Sequence, residues 1–141
     1  MTRPALLRML DANANRALEG LRVCEDVVRF HLGTPRLFHQ IRALRHGVAA
    51  ALARLPVRPT ELVQARNSAR DPGRSAPASA VPSLERLLLI NFQRAKEALR
   101  VLEEAARLLA PRQTAAFQRL RFRAYEVERE ALLRLATVRH R

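Results

Sequence analysis

The sequence predicts an all-α fold: a bundle of two duplicated antiparallel helical hairpins joined by a long Pro-rich loop. Three observations predict it. A 17-residue helical phrase, residues 13–29, returns 78 positions later as residues 91–107. Apolar residues recur at helical spacing through four long segments, and no segment alternates as a strand does. Gly33, Pro56 and Pro111 stand where those segments should stop.

The first helix is expected from about Pro4, a favourable first-turn residue, to Leu32, with Gly33 as its stop. The second follows Thr34-Pro35, carries Leu37, Phe38, Ile41, Leu44, Val48, Leu52 and Leu55 at helical spacing, and is ended by Pro56. Residues 56–82 hold five of the eight prolines, and a connection this long is typically functional or disordered. Within it, Glu61 to Arg66 reads as a helical turn. Residues 67–74 interleave arginines with Asp, Ser and Gly, a mixture suited to phosphate contacts and a metal ligand, or to a plain solvated linker. Ser83 can cap the third helix, which runs to about Ala110. The fourth places Phe117, Leu120, Ala124, Val127, Ala131, Leu132 and Leu135 on one face. The expected organisation is one domain over 1–141, with hairpin repeats at 4–55 and 83–138.

The repeat preserves chemistry as well as apolar packing. Nine positions are identical between the copies: Asn13/Asn91, Arg16/Arg94, Ala17/Ala95, Glu19/Glu97, Leu21/Leu99, Arg22/Arg100, Val23/Val101, Glu25/Glu103 and Arg29/Arg107. Chance gives about one match at ordinary residue frequencies. Six of the nine are charged or amide residues, whereas packing alone would let polar letters drift. At roughly 100° per residue, Asn13 and Glu25 project into the apolar arc of the first copy, and Arg16 and Glu19 lie just beyond its other edge. Asn91 and Glu103 intrude in the same way in the second. A carboxylate within an apolar stripe is costly unless a cation or donors meet it. Intrahelical pairing (Arg22 with Glu25, Arg100 with Glu103) would satisfy that need, and so would convergence of the two copies on a shared polar pocket.

Charge narrows the partners. The net charge is +13, and Lys96 is the sole lysine among 26 basic residues. Such basicity points to nucleic acid, an acidic membrane or a phosphorylated small molecule. No charged-then-apolar leader and no membrane-length apolar run is present, and the single Cys24 reads as a reduced core residue; a cytoplasmic protein is expected. His31, His39, His46 and His140 are scattered, without metal-ligand spacing. With four glycines and no Walker A motif or glycine-rich kinase loop, phosphate binding must rely on Arg forks and helix N-termini.

Several motifs carry a family resemblance. Leu10-Asp11-Ala12-Asn13-Ala14-Asn15-Arg16-Ala17-Leu18-Glu19-Gly20-Leu21-Arg22-Val23 resembles the opening of the helical domain fused in front of some bacterial thiamine-phosphate synthases. Leu44-Arg45-His46, the run from Asn91 to Glu104, and Arg121-Phe122-Arg123-Ala124-Tyr125-Glu126 are similar to further motifs there, so the resemblance spans roughly residues 8 to 134. It implies a monofunctional hydroxymethylpyrimidine phosphate kinase, which uses ATP and magnesium to make the diphosphate consumed by thiamine-phosphate synthase. A stand-alone version is implied, since no synthase domain follows. The family loop usually reads Arg-Asp-Thr and then Asp-x-Gly; here it is Arg66-Asn67-Ser68 and Asp71-Pro72-Gly73, so the first acid is replaced by an amide.

The resemblance places Asn13, Arg16, Glu19, Arg45, His46, Arg66, Asn91, Arg94, Glu97, Arg123 and Tyr125 in the substrate and nucleotide site. Residue chemistry suggests roles for others. Arg22 and Arg100, with Arg16 and Arg94, are expected to neutralise the transferred phosphoryl group. Asp71, Glu25 and Glu103 are magnesium candidates, with Asp71 also in the catalytic set, and Asn13 and Asn91 could hydrogen-bond the pyrimidine. The expected partners are ATP and a phosphorylated pyrimidine, without specific nucleic acid or membrane, and with a homodimer open. Two rivals are a basic helical nucleic-acid-binding protein and a non-enzymatic helical module that dimerises through apolar faces. Against the first stand the repeated acids, the lone Tyr and the absence of Trp.

Overall fold

The computed structural model describes residues 1–139, and His140 lies outside the described residues. Five α-helices form the bundle: α1 (Arg3–Val27), α2 (Pro35–Ala53), α3 (Pro59–Ala65), α4 (Leu84–Leu109) and α5 (Thr114–Arg139). No strand occurs among the described residues. Each long boundary has a local cause. The Thr2 hydroxyl accepts from the Ala5 amide and Pro4 sits in the first turn of α1. The Ser83 hydroxyl accepts from the Arg86 amide at the start of α4, so both repeats open on a hydroxyl cap. A π-helical turn, Val28–Leu32, extends α1, and Gly33 ends it at φ 59°, in the left-handed region where glycine carries no Cβ penalty.

α1 and α4, the two repeat helices, share the most extensive contact in the molecule. They run antiparallel: Gly20 lies against Asn91 and Ala95, while Cys24 further along α1 reaches back to the Leu88 carbonyl. α2 packs on α1, α5 on α4, and α2 on α5. Leu21, Cys24, Ile41, Leu44, Leu88, Phe92, Leu99, Leu102 and Phe117 are fully buried between them. Burial pushes the Cys24 thiol far above its usual range, and the nearby Glu128 charge adds to the shift.

The second helices repeat as well, in a different register. The buried residues Ile41, Leu44, Val48 and Ala51 of α2, with Leu55 just beyond it, correspond to Phe117, Leu120, Ala124, Val127 and Ala131 of α5, an offset of 76 rather than 78. The two-residue difference lies in the connections. The first hairpin turns through the π turn and Gly33, the second through Ala110 and a 3-10 turn at Pro111–Gln113.

Between the halves, residues expected to be mostly loop hold a real helix, α3, packed against α1. Glu61 clips it there by accepting from Arg3 at 2.9 Å. That bond, with the Arg58 amide and guanidinium also donating, holds the Glu61 carboxyl down at about 2.

The α1–α4 crossing is tight at Gly20. A Cβ on Gly20 would lie 2.9 Å from the Asn91 carbonyl oxygen, which is backbone and cannot rotate away. Gly20→Ala should therefore destabilise the fold by roughly 1–3 kcal/mol through overpacking, despite the ~1 kcal/mol helix-propensity gain. At Gly47 the obstruction is the tip of the Leu120 side chain at 3.0 Å. Gly47→Ala should be neutral or stabilising by up to about 1 kcal/mol. Urea denaturation of the two variants checks the contrast; equal effects would mean that the helices re-space freely.

Candidate functional site

The buried acids of the repeat do not reach solvent. Glu25, 3% exposed, receives both arms of Arg45 from α2, Nε to Oε1 at 3.2 Å and Nη2 to Oε2 at 3.3 Å, and Arg22 lies 3.5 Å away on its own helix. Glu103 is held in the same way by Arg121 of α5 at 3.1 Å and Arg100 at 3.3 Å. Bonding to Glu103 raises the Arg121 pKa. Each hairpin is thus fastened by an Arg–Glu–Arg triad, and the two triads correspond under the repeat. Glu25 and Glu103, expected as magnesium candidates, have their oxygens engaged by guanidinium groups in this structure. No cluster of three metal-ligating side chains occurs among the described residues.

Arg22 and Arg100, expected to contact the transferred phosphoryl group, are engaged with acids of their own helices. They sit on the outer shoulders of the triads, their side chains 55% exposed, and bridge onward to Asp26 and Glu104. Neither is among the residues that line the cleft between α1 and α4. His46 is exposed on α2. Arg123 abuts Gly47 and, with Gln40 and Glu126, lines a small cavity of about 130 Å³ at the α2–α5 seam. Arg45, His46 and Arg123 therefore lie away from the repeat's shared cavity.

The remaining polar residues converge. A cleft of about 580 Å³ opens between α1 and α4, lined by Asn13 and Asn91, Arg16 and Arg94, Glu19 and Glu97, Gly20 and Ala98, and Val23 and Val101. All ten lining residues are five pairs related by the 78-residue repeat, so the cleft lies on a local two-fold axis. The reason is geometric. Antiparallel helices carrying the same polar edge bring two copies of that edge face to face, as in a two-fold dimer interface. Asn13 and Asn91 are fixed identically, their amides donating to the Met9 and Leu87 carbonyls at 2.8 and 2.9 Å. The Asn13 oxygen accepts from Arg16 at 3.4 Å. Arg94 and Glu19 make no ion pair with a described residue.

The flanks break the symmetry. Beyond Arg16, a cavity of about 750 Å³ is lined by Arg8, Asp11, Asn15 and the segment Arg66 to Pro72. Asp11, buried, fastens that segment through Arg66 at 2.7 and 3.0 Å, which raises the Arg66 pKa. Asp71 is exposed here and accepts from the Gly73 amide at 2.8 Å. Beyond Arg94, the corresponding cavity of about 500 Å³ is lined by Arg86, Leu89, Ile90, Gln93, Lys96, Glu128 and Leu132. Lys96 pairs with Glu128 at 2.8 Å and stands 4.5 Å over the ring of Tyr125.

Sequence reasoning missed Arg121, Asp11, Lys96 and Glu128 as site-building residues. A signal existed for the first: Leu44-Arg45 and Leu120-Arg121 match once the 76-residue offset is used. The other three are not duplicated, so the repeat could not point to them.

Fold and cleft together define a duplicated all-α bundle domain with a polar groove, lined by two arginines and two glutamates, centred on its internal dyad. Residues 8–130 match the ThiD2 family. Relatives include the thiamine-phosphate synthases of Nostoc sp. (41% identical over 86% of this chain and 34% of theirs), Synechocystis sp. (38%, over 88% and 35%) and Rhodopirellula baltica (33%, over 93% and 35%). The chain thus spans about a third of the length of the curated relatives it matches. No solved structure matches it. The chain belongs to the ThiD2 family. Among the described residues, no helix is long and apolar enough to cross a membrane.

Proposed function

We propose that the domain acts in thiamine biosynthesis as an ATP-dependent kinase that converts hydroxymethylpyrimidine phosphate to the diphosphate. The observation that carries this reading is the dyad cleft, where Arg16 and Arg94 approach from the two halves. Two substrates that both bear phosphate need two anion sites meeting at one point, and the duplicated arginines Arg16 and Arg94 supply them. A phosphate oxygen of the acceptor attacks the γ-phosphorus of ATP, the bond to the bridging oxygen breaks, and ADP leaves. The arginines neutralise the charge spread over the transferred group.

This chemistry asks little of an acid or base. A phosphate monoester has its second pKa near 6, so the attacking oxygen is already ionised at neutral pH and no side chain need take a proton from it. Asn67 in place of an acid is compatible with such a step. Magnesium is commonly held by one or two carboxylates together with substrate phosphates, and Asp71, Glu19 and Glu97 are the carboxylates that edge the groove. A nucleic-acid backbone suits the groove less well, because Glu19 and Glu97 stand beside its arginines.

Purified protein supplied with ATP, magnesium and hydroxymethylpyrimidine phosphate should form the diphosphate, detected by coupling to a thiamine-phosphate synthase. A folded sample that gives no turnover at any magnesium concentration would remove the kinase assignment.

A further inference from the structure

The two flanking cavities correspond under the repeat, so their differences indicate what each one holds. Arg8 corresponds to Arg86, Asn15 to Gln93 and Arg16 to Arg94; those polar rims are common to both. The floors are not. On the first flank stands Asp11, which anchors the loop and brings Arg66, Ser68 and Arg70 over the cavity. Its counterpart is Leu89, next to Ile90 where the first half has Ala12. In place of Leu18 and Leu52, the second half has Lys96 and Glu128, an ion pair whose side chains are 11% and 12% exposed. The sole lysine of an arginine-dominated chain is therefore half-buried beneath one cavity, with Tyr125 beside it.

We infer that the groove is directional: the loop-covered flank of Arg8, Arg66 and Arg70 takes the nucleotide polyphosphate, and the Lys96–Glu128–Tyr125 flank takes the pyrimidine ring of the acceptor. This rests on the kinase reading given above. The first flank is the larger and is lined by four arginines, Arg8, Arg16, Arg66 and Arg70, where the second has two, Arg86 and Arg94. Arg8 and Arg70 make no ion pair with a described residue there, and Ser68 adds a hydroxyl, a set suited to an extended chain of phosphates. The second flank is smaller and has apolar walls in Leu89, Ile90 and Leu132. A flat heterocycle binds between apolar walls with a few fixed polar groups. The Lys96 ammonium, oriented by Glu128 and the Tyr125 ring, offers donors to ring nitrogens. Each phosphate-bearing end then points inward to Arg16 and Arg94, where transfer takes place.

The first half shows how to remove the second-flank site without damaging the bundle. Lys96→Leu with Glu128→Leu copies the Leu18 and Leu52 pair already accommodated there. Isothermal titration with ATP and with hydroxymethylpyrimidine phosphate, separately, reads the assignment. The leucine pair should keep ATP affinity and lose about tenfold or more for the pyrimidine phosphate, while Arg70→Ala should do the reverse, the loss of one charge-assisted contact. If the leucine pair melts early, Tyr125→Ala, at a half-exposed position, carries the same test. Reversed or equal losses would overturn the assignment while leaving the kinase reading intact. Wild-type protein that binds neither ligand would overturn both.

Discussion

Arg121→Met should cost about 3–5 kcal/mol, the usual penalty for breaking a buried ion pair from one side. At the entropy of unfolding expected for 141 residues, that is a fall of about 10–15 °C in melting temperature. The size follows from burial. Arg121 and Glu103 side chains are 12% and 7% exposed, so methionine keeps the stem volume but strands a carboxylate whose remaining partner, Arg100, is half in water. Arg100→Ala should change stability by only about 0–1 kcal/mol, because an exposed partner gains little from pairing. The decisive variant is the double one. Arg121→Met with Glu103→Leu removes both charges and should recover most of the loss. Failure to recover would mean that the triad sets the helix geometry in a way apolar packing cannot replace.

The largest effect on activity is expected at the dyad. Arg16→Ala and Arg94→Ala should each lower kcat/KM by roughly 10²–10³-fold, the range seen when a preorganised donor to developing charge is lost. Neither is buried, so melting temperature should barely move. Arg22→Ala and Arg100→Ala should lower kcat/KM by less than about fivefold, since their charges are spent on Glu25, Asp26, Glu103 and Glu104. Steady-state assays of the four variants separate the cleft from the triads. Comparable losses in all four would show that the shoulder arginines swing inward when substrate binds.

The helical repeat was legible because it is written in polar letters, which packing does not demand. Burial of Asn13, Glu25, Asn91 and Glu103 was legible too, since the helical projection puts them within apolar arcs. The split of function among the arginines was not. Arg16 and Arg22 are both duplicated, and only the antiparallel crossing of α1 and α4 decides that one faces its copy and the other faces outward. The α2–α5 correspondence was hidden by its different offset and by substitutions that keep only apolar character, such as Ile41 for Phe117. The Asp11–Arg66 clamp joins residues 55 apart, and the Lys96–Glu128 pair 32 apart, with no periodic cue between them.

The dyad also governs when the groove comes into being. Each hairpin closes through near-neighbour contacts and can form early, whereas the cleft is built from residues 78 apart that meet only when the halves dock. Contacts of long sequence separation are made late and slowly. A half-folded chain therefore holds one wall of the groove and no cavity. A ligand seated on the dyad binds the docked halves and not the undocked ones, so it stabilises the bundle by an amount that grows with its concentration relative to its dissociation constant.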